Sequence, residues 1–211
     1  MKIKICGLKN REDTQKSYEL GAWALGFIFH KKSARYISPF EVREILGDLQ
    51  LKGRETVGVF VNETVDTMNA FQKIAGFSTF QLHGEENPEN VSRLNGKVIK
   101  KINFSDLSKI DSFLKCRPDL TFLVDSPPSI EGEYGGRGKL ADWKFAKEVK
   151  KKGPLILAGG LCEKNLKEAN HKVGPYALDL SSSVEKSPGL KDHKKLISLF
   201  SYIKKGEINE S

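Results

Sequence analysis

Two side chains have the type and the placing to pass a proton between them. Cys6 ends the run Ile3-Lys-Ile-Cys and is followed by Gly7. A thiol at the end of a strand can act as a base or nucleophile, although a lone strand-end Cys is by type a small buried hydrophobe. Asp125 ends Thr121-Phe-Leu-Val-Asp and precedes Ser126-Pro127-Pro128. A carboxyl group there closes an otherwise apolar strand at an immediate turn, where Asp more often caps a helix or joins a loop ion pair. General acid–base chemistry requires one group that gives a proton and one that takes it within the same bound complex. Two small-residue loops, Gly159-Gly160 and Ser181-Ser182, follow later strands. Backbone N–H groups at such positions, with a short helix starting behind them, form the anion cradle that barrels commonly build after strands seven and eight. The loop Gly135-Gly136-Arg137-Gly138 is expected to cover the ligand as a lid, with Gly135 and Gly136 among the binding positions.

These groups must be positioned by a regular alternation of elements. Short β-branched or aromatic runs predict strands near Ile3–Cys6, Ala24–Phe29, Thr56–Val61, Thr79–Leu82, Val98–Ile102, Phe122–Asp125, Leu155–Ala158 and Tyr176–Leu180. Amphipathic spacing predicts helices near Glu12–Leu20, Pro39–Leu46, Val65–Ala75, Pro88–Leu94, Leu107–Lys115, Trp143–Lys151, Glu163–Asn170 and Lys191–Lys204. Pro39 behind Ser38 and Pro88 behind Asn87 read as first-turn prolines after a capping residue. Gly21, Gly47, Gly76 and Gly153 mark helix stops or strand starts. Eight such units in 211 residues favour a single-domain α/β (β/α)8 TIM barrel over residues 1–205 with a polar tail at 206–211, rather than an open doubly wound sheet. In that ring the first and sixth strands lie three steps apart, so Cys6 and Asp125 face each other across one mouth and a substrate can bridge them.

Composition narrows the setting. Hydrophobic residues make up 38% and charged residues 29%, enough for a core beneath a heavily charged surface. No stretch approaches the roughly 20 apolar residues that cross a bilayer, so a cytoplasmic protein without membrane attachment is expected. Cys6, Cys116 and Cys162 are odd in number and widely spaced, with no CxxC pair, so neither a disulfide framework nor a structural metal site is indicated. The net charge of +8 is spread over pairs such as Lys31-Lys32, Lys100-Lys101 and Lys151-Lys152. Without interleaved aromatics, that pattern fits steering of a small anion better than a nucleic-acid groove.

The runs Lys4-Ile-Cys-Gly-Leu8, Ser33-Ala-Arg-Tyr36, Val57-Gly-Val-Phe-Val61, Gln81-Leu-His-Gly84, Leu123-Val-Asp-Ser126, Leu157-Ala-Gly-Gly-Leu161, Asp179-Leu-Ser-Ser, Val184-Glu and Pro188-Gly-Leu-Lys-Asp192 resemble, in order and over nearly the whole chain, the phosphoribosylanthranilate isomerase family. The resemblance implies a cofactor-independent, metal-free Amadori rearrangement in tryptophan synthesis by a monomer or weak homodimer, with a phosphoribosyl small molecule as its partner. It further implies that Cys6 is the general base and Asp125 the general acid. Arg35 becomes the candidate for the anthranilate carboxylate, which a guanidinium grips through two parallel hydrogen bonds; without the family pattern it would read as a surface ion pair. Gln81 and His83 are expected to line the sugar or aromatic pocket, and Asp179 to orient neighbouring loops.

A free Asp titrates near ~3.9 and a free Cys near ~8.5, so in water the inactive pair of carboxylate and thiol dominates. The expectation is that burial raises the Asp125 pKa, while cations and helix N-termini lower that of Cys6. Ala34, Arg137 and Ser183 depart from the family pattern, where Pro, Ser or Thr, and Gly or Ala are usual. Two other readings remain at this point. The histidine-pathway isomerase of the same reaction type uses two aspartates and a half-barrel repeat, neither of which fits Cys6. A basic, non-catalytic phosphate- or RNA-binding barrel leaves the Cys6–Asp125 pair unexplained.

Overall fold

Burial on both faces makes the strands of this chain short and nearly continuous in apolar residues. In the computed structural model, which describes residues 1–49, 51, 53–126 and 140–208, eight of them run parallel. They are β1 (Ile3–Cys6), β2 (Ala24–Ile28), β3 (Glu55–Phe60), β4 (Thr79–Leu82), β5 (Lys97–Lys101), β6 (Thr121–Val124), β7 (Leu155–Leu157) and β8 (Ala177–Leu180). Each pairs with its neighbour, and β8 returns to β1 with Lys4 opposite Asp179, closing the barrel. The surrounding helices are α1 (Arg11–Leu20), α2 (Pro39–Asp48), α3 (Val65–Ala75), α4 (Pro88–Ser92), α5 (Ile110–Cys116), α6 (Trp143–Lys150), α7 (Glu163–Val173) and α8 (His193–Ile208).

Local chemistry fixes where the helices begin. Ser38 caps α2 in a capping box with Glu41, with Pro39 in the first turn, and Asn87 caps α4 ahead of Pro88. Gly21 ends α1 with φ of 105°, a left-handed conformation that glycine adopts without a Cβ clash.

Period-two alternation along the strands divides the core in two. Outward residues such as Ile5, Phe27, Leu82 and Phe122 pack under the helices. The inward set is smaller: Cys6, Ala24, Val57, Val59, Ile99, Leu123, Ile156, Ala158 and Ala177. Register then assigns the mouth. Lys4 and Cys6 share one parity of β1, so both face inward. Ile99 and Lys101 likewise share the inward face of β5, and Lys101 stands opposite the inward Leu123 of β6. Asp125, two residues past Leu123, continues the same face into the mouth.

The structure departs from expectation near the end of the chain. A 3-10 turn over Ser182–Val184 leads into a two-stranded antiparallel ribbon, β9 (Glu185–Ser187) and β10 (Leu190–Lys191). Lys191 is therefore a strand residue, and α8 starts later than predicted, at His193. Residues 206–208 continue α8, and 209–211 lie outside the described residues. Gly47 falls inside α2, not at its stop. The predicted helix at Leu107–Lys115 is a 3-10 segment, Phe104–Lys109, followed by α5. Among the described residues no helix is long and apolar enough to cross a membrane.

Candidate active site

One cavity at the C-terminal ends of the strands is lined by Cys6, Arg35, Gln81, His83, Asp125, Gly159, Gly160, Ser181 and Ser182, together with Asp179. Every predicted site residue among the described residues thus faces a single space. Gly135, Gly136 and Arg137 lie outside the described residues.

Asp125 sits just past β6 in a donor-rich corner. Its Oδ1 accepts hydrogen bonds from its neighbour's backbone, Ser126 N at 2.7 Å, and from Ser126 Oγ at 3.3 Å. On the other side His83 Nε2 stands 3.4 Å from Asp125 Oδ2. Gln81 Nε2 lies 3.3 Å from His83 Nδ1. An amide donating to Nδ1 fixes the imidazole tautomer with its proton on Nε2, aimed at the carboxylate. Burial holds His83 below its usual pKa, so the ring is a neutral donor here rather than a counter-ion. Burial works to raise Asp125, but the hydrogen bond from His83, the Lys101 cation and the Ser126 amide outweigh it and hold the carboxyl below its ordinary range. Gly159, with φ of 81°, packs against this corner: a Cβ there would stand 2.9 Å from Asp125 Oδ1 and closer still to the Ser126 amide.

Cys6 has the opposite balance. Burial raises its thiol above the ordinary value, and Asp179 adds to that, while Lys4 and Lys191 pull downward without prevailing. The free site therefore widens the gap between the carboxyl group and the thiol. This corrects the sequence-based expectation at both groups. The apolar neighbours do push Asp125 upward, but its hydrogen-bond donors win; the cations near Cys6 exist, but they are committed to carboxylates. Lys4 Nζ binds Asp179 Oδ2 at 2.7 Å, and Lys191 Nζ binds Glu185 Oε1 at 2.8 Å.

Arg35 is engaged as well. Its Nε and Nη2 grip Glu185 at 2.9 and 2.6 Å, and Nη1 has no partner among the described residues. The ion pair is largely buried rather than on the surface. Opposition from burial notwithstanding, Arg35 and Lys191 hold Glu185 below the usual carboxylate range. The ribbon β9–β10 thus ties three charged side chains beneath the Cys6 wall, and Lys191 Nζ also donates to the Cys6 carbonyl at 2.6 Å.

Gly159 and Gly160 both have positive φ, 81° and 63°. Neither amide donates to another group among the described residues. Ser181 Oγ spends its proton on the Cys6 carbonyl at 3.0 Å, whereas Ser182 opens the 3-10 turn, as an anion cradle requires. Among the described residues the Ser183 hydroxyl is buried without a partner, as are Gln81 Oε1 and Asp179 Oδ1. Three residues escaped the sequence reading: Lys4, Glu185 and Lys191. For Lys4 a signal was available, because a lysine two residues before a mouth-facing cysteine must point into the barrel.

Fold and site together define a (β/α)8 barrel with a thiol and a carboxyl group facing one cavity at the C-terminal rim, the side on which barrel enzymes carry their active sites. The sequence pattern described as N-(5'phosphoribosyl)anthranilate (PRA) isomerase matches residues 3–202. The chain belongs to the N-(5'-phosphoribosyl)anthranilate isomerase family. It is 41% identical over 197 residues to the N-(5'-phosphoribosyl)anthranilate isomerase of Geotalea uraniireducens, covering 92% of this chain and 94% of that protein. Among solved structures, phosphoribosyl anthranilate isomerase from Thermus thermophilus superposes with a TM-score of 0.84 at 33% identity, covering 97% of this chain and 99% of that one. A family structure in complex with reduced 1-(o-carboxyphenylamino)-1-deoxyribulose 5-phosphate superposes with a TM-score of 0.81 at 34% identity, with the same coverage.

Proposed function

We propose that Asp125 and Cys6 divide the acid and base roles in the family's reaction, the Amadori rearrangement of N-(5-phosphoribosyl)anthranilate to 1-(2-carboxyphenylamino)-1-deoxyribulose 5-phosphate in tryptophan biosynthesis. The observation that carries this is the shared cavity: both groups line it from separate walls, with the Gly159-Gly160 and Ser181-Ser182 loops on the same rim.

Asp125 in its acid form gives its proton to the furanose ring oxygen as the C1–O bond breaks, and the anilino nitrogen lone pair forms the C1=N bond. The Cys6 thiolate then takes the proton from C2; the C2–H electrons form C1=C2, and the C1=N pair returns to nitrogen. The resulting enolamine tautomerises to the ketoamine. After these two transfers Asp125 is a carboxylate and Cys6 a thiol, the state that the free site favours. Each turnover starts from the less populated pair, restored by moving one proton from Cys6 to Asp125 through solvent.

The backbone amides at Gly159, Gly160 and Ser182 bind the phosphate, with Ser181 shaping the same loop. Arg35 reaches the anthranilate carboxylate through Nη1 while Glu185 holds its other edge. Gln81 offers Oε1 to a sugar hydroxyl, and His83 keeps Asp125 oriented. The chain works in the cytoplasm as a monomer or weak homodimer, without nucleic acid, membrane, metal or cofactor. The Thermotoga maritima relative is described as dimeric and also as monomers derived from it.

Loss of phosphoribosylanthranilate fluorescence tests the reading. Wild-type turnover that nearly vanishes in Cys6→Ser supports it. Full turnover by Cys6→Ser removes Cys6 from the mechanism, and a wild type that binds phosphoribosyl ligands without turning them over makes the chain a binder.

A further inference from the structure

Lys4 is among the largest fully buried side chains of the protein, and it points into the barrel one layer below Cys6. Stability alone does not call for it there. A buried ion pair contributes little or nothing relative to apolar residues of the same volume, because desolvation of both charges offsets their attraction. The apolar part of the inner face is small, made of Ala, Val, Ile and Leu beside Cys6, and Lys4 stands among it with Asp179 opposite.

The geometry around Lys4 is specific. Gly26 of β2 stands opposite Cys6 of β1. A Cβ on Gly26 would lie 2.8 Å from Cys6 Sγ and 3.2 Å from Lys4 Nζ. The thiol and the ammonium therefore border the same space, left by one missing side chain, and each acts on the other's titration. On its other side the same ammonium binds Asp179 Oδ2 at 2.7 Å, while Asp179 Oδ1 has no partner among the described residues. The remaining charged neighbours are themselves paired: Lys191 and Arg35 with Glu185, and Asp125 with His83, the last two also acting on Asp179 across the mouth.

We propose that Lys4 is the positioning residue for the Cys6 thiolate, and that Asp179 competes with that thiolate for the one ammonium. The inference rests on Cys6 being the base. With Cys6 protonated, the Lys4–Asp179 pair is complete and the layer is neutral. When Cys6 loses its proton, Lys4 is shared between sulfur and carboxylate, and the extra negative charge is met by a cation already in place rather than by water. Asp179 thus sets how much of Lys4 the sulfur receives, and the two residues act on the thiol with opposite sign: Lys4 lowers its titration and Asp179 raises it.

Thiolate absorbance, taken as the difference between each protein and the same protein carrying Cys6→Ser, titrates Cys6 without relying on catalysis and cancels Cys116 and Cys162. Lys4→Met is expected to move the Cys6 titration upward by about one pH unit or more, and Asp179→Asn to move it downward. The high-pH limb of kcat/KM follows in the same two directions. A purely structural role for the pair lowers activity without moving the titration, or moves it the same way in both variants, and either result overturns the proposal. If Lys4→Met does not fold, Asp179→Asn carries the test alone: a downward move supports the proposal, and no move or an upward one overturns it. Failure of the underlying reading looks different, because Cys6→Ser then retains turnover whatever the titrations show.

Discussion

Cys6 on the β1 wall is buried and Asp125 on the β6 wall nearly so, and desolvation pushes both titrations upward. Yet Asp125 ends below its ordinary value and Cys6 above. The difference lies in what the neighbouring donors are free to do. His83 and the Ser126 amide aim their protons at Asp125, and His83 is itself fixed by Gln81. The cations of the Cys6 wall, Lys4 and Lys191, are each held by a carboxylate. A positive charge near a base therefore does not settle its pKa; the charge must also be uncommitted. If Asp125 is the acid and Cys6 the base, as proposed, both shifts run against the protonation states that those roles require.

The largest test of the contrast removes each reacting group in turn. Asp125→Asn and Cys6→Ser are each expected to lower kcat by about 10²–10⁴-fold in the fluorescence assay. Equal losses fit one acid and one base acting on one ligand; a variant that keeps its rate breaks the pairing on its own wall.

Next in size is a stability effect confined to the Cys6 wall. Glu185→Gln leaves Arg35 and Lys191 without their shared carboxylate, and chemical denaturation should show a loss of about 3–5 kcal/mol at neutral pH. Because folding depresses the Glu185 pKa below 4.5, its contribution is full above that value and disappears as pH falls through the folded-state pKa. Wild type and variant should therefore converge in acid. A gap that persists there would assign the effect to packing instead.

The smallest effect sharpens the Asp125 side. His83→Asn removes the donor that holds the carboxyl down, and the low-pH limb of kcat/KM should move upward by about one unit or less. An unchanged limb would transfer the depression to Lys101 and the Ser126 amide.

The strands were legible in the sequence because each is a short apolar run bounded by turn residues, and strand-end placement was enough to bring Cys6, Asp125, Gly159 and Ser181 to one rim. Lys4 was not recognised because Lys2 and Lys4 share the same alternation. Lys2 is exposed over Tyr176 at the opposite end of the barrel, whereas Lys4 is enclosed. Glu185 and Lys191 were hidden for another reason: a ribbon of three and two residues leaves almost no periodic signal, and its ion pairs join Arg35 from a distant segment. The protonation balance was misjudged because it depends on which donors are already spent, a property of pairs in space rather than of residue types.

The most direct test of the central claim is a crystal structure of this protein with reduced 1-(2-carboxyphenylamino)-1-deoxyribulose 5-phosphate bound. The account predicts Cys6 Sγ beside C2 and an Asp125 carboxylate oxygen within hydrogen-bonding reach of the C4 hydroxyl, the former ring oxygen, with the phosphate on the Gly159-Gly160 and Ser182 amides. A ligand that reaches only one of the two groups, or that leaves Cys6 Sγ pointing away from C2, would contradict it.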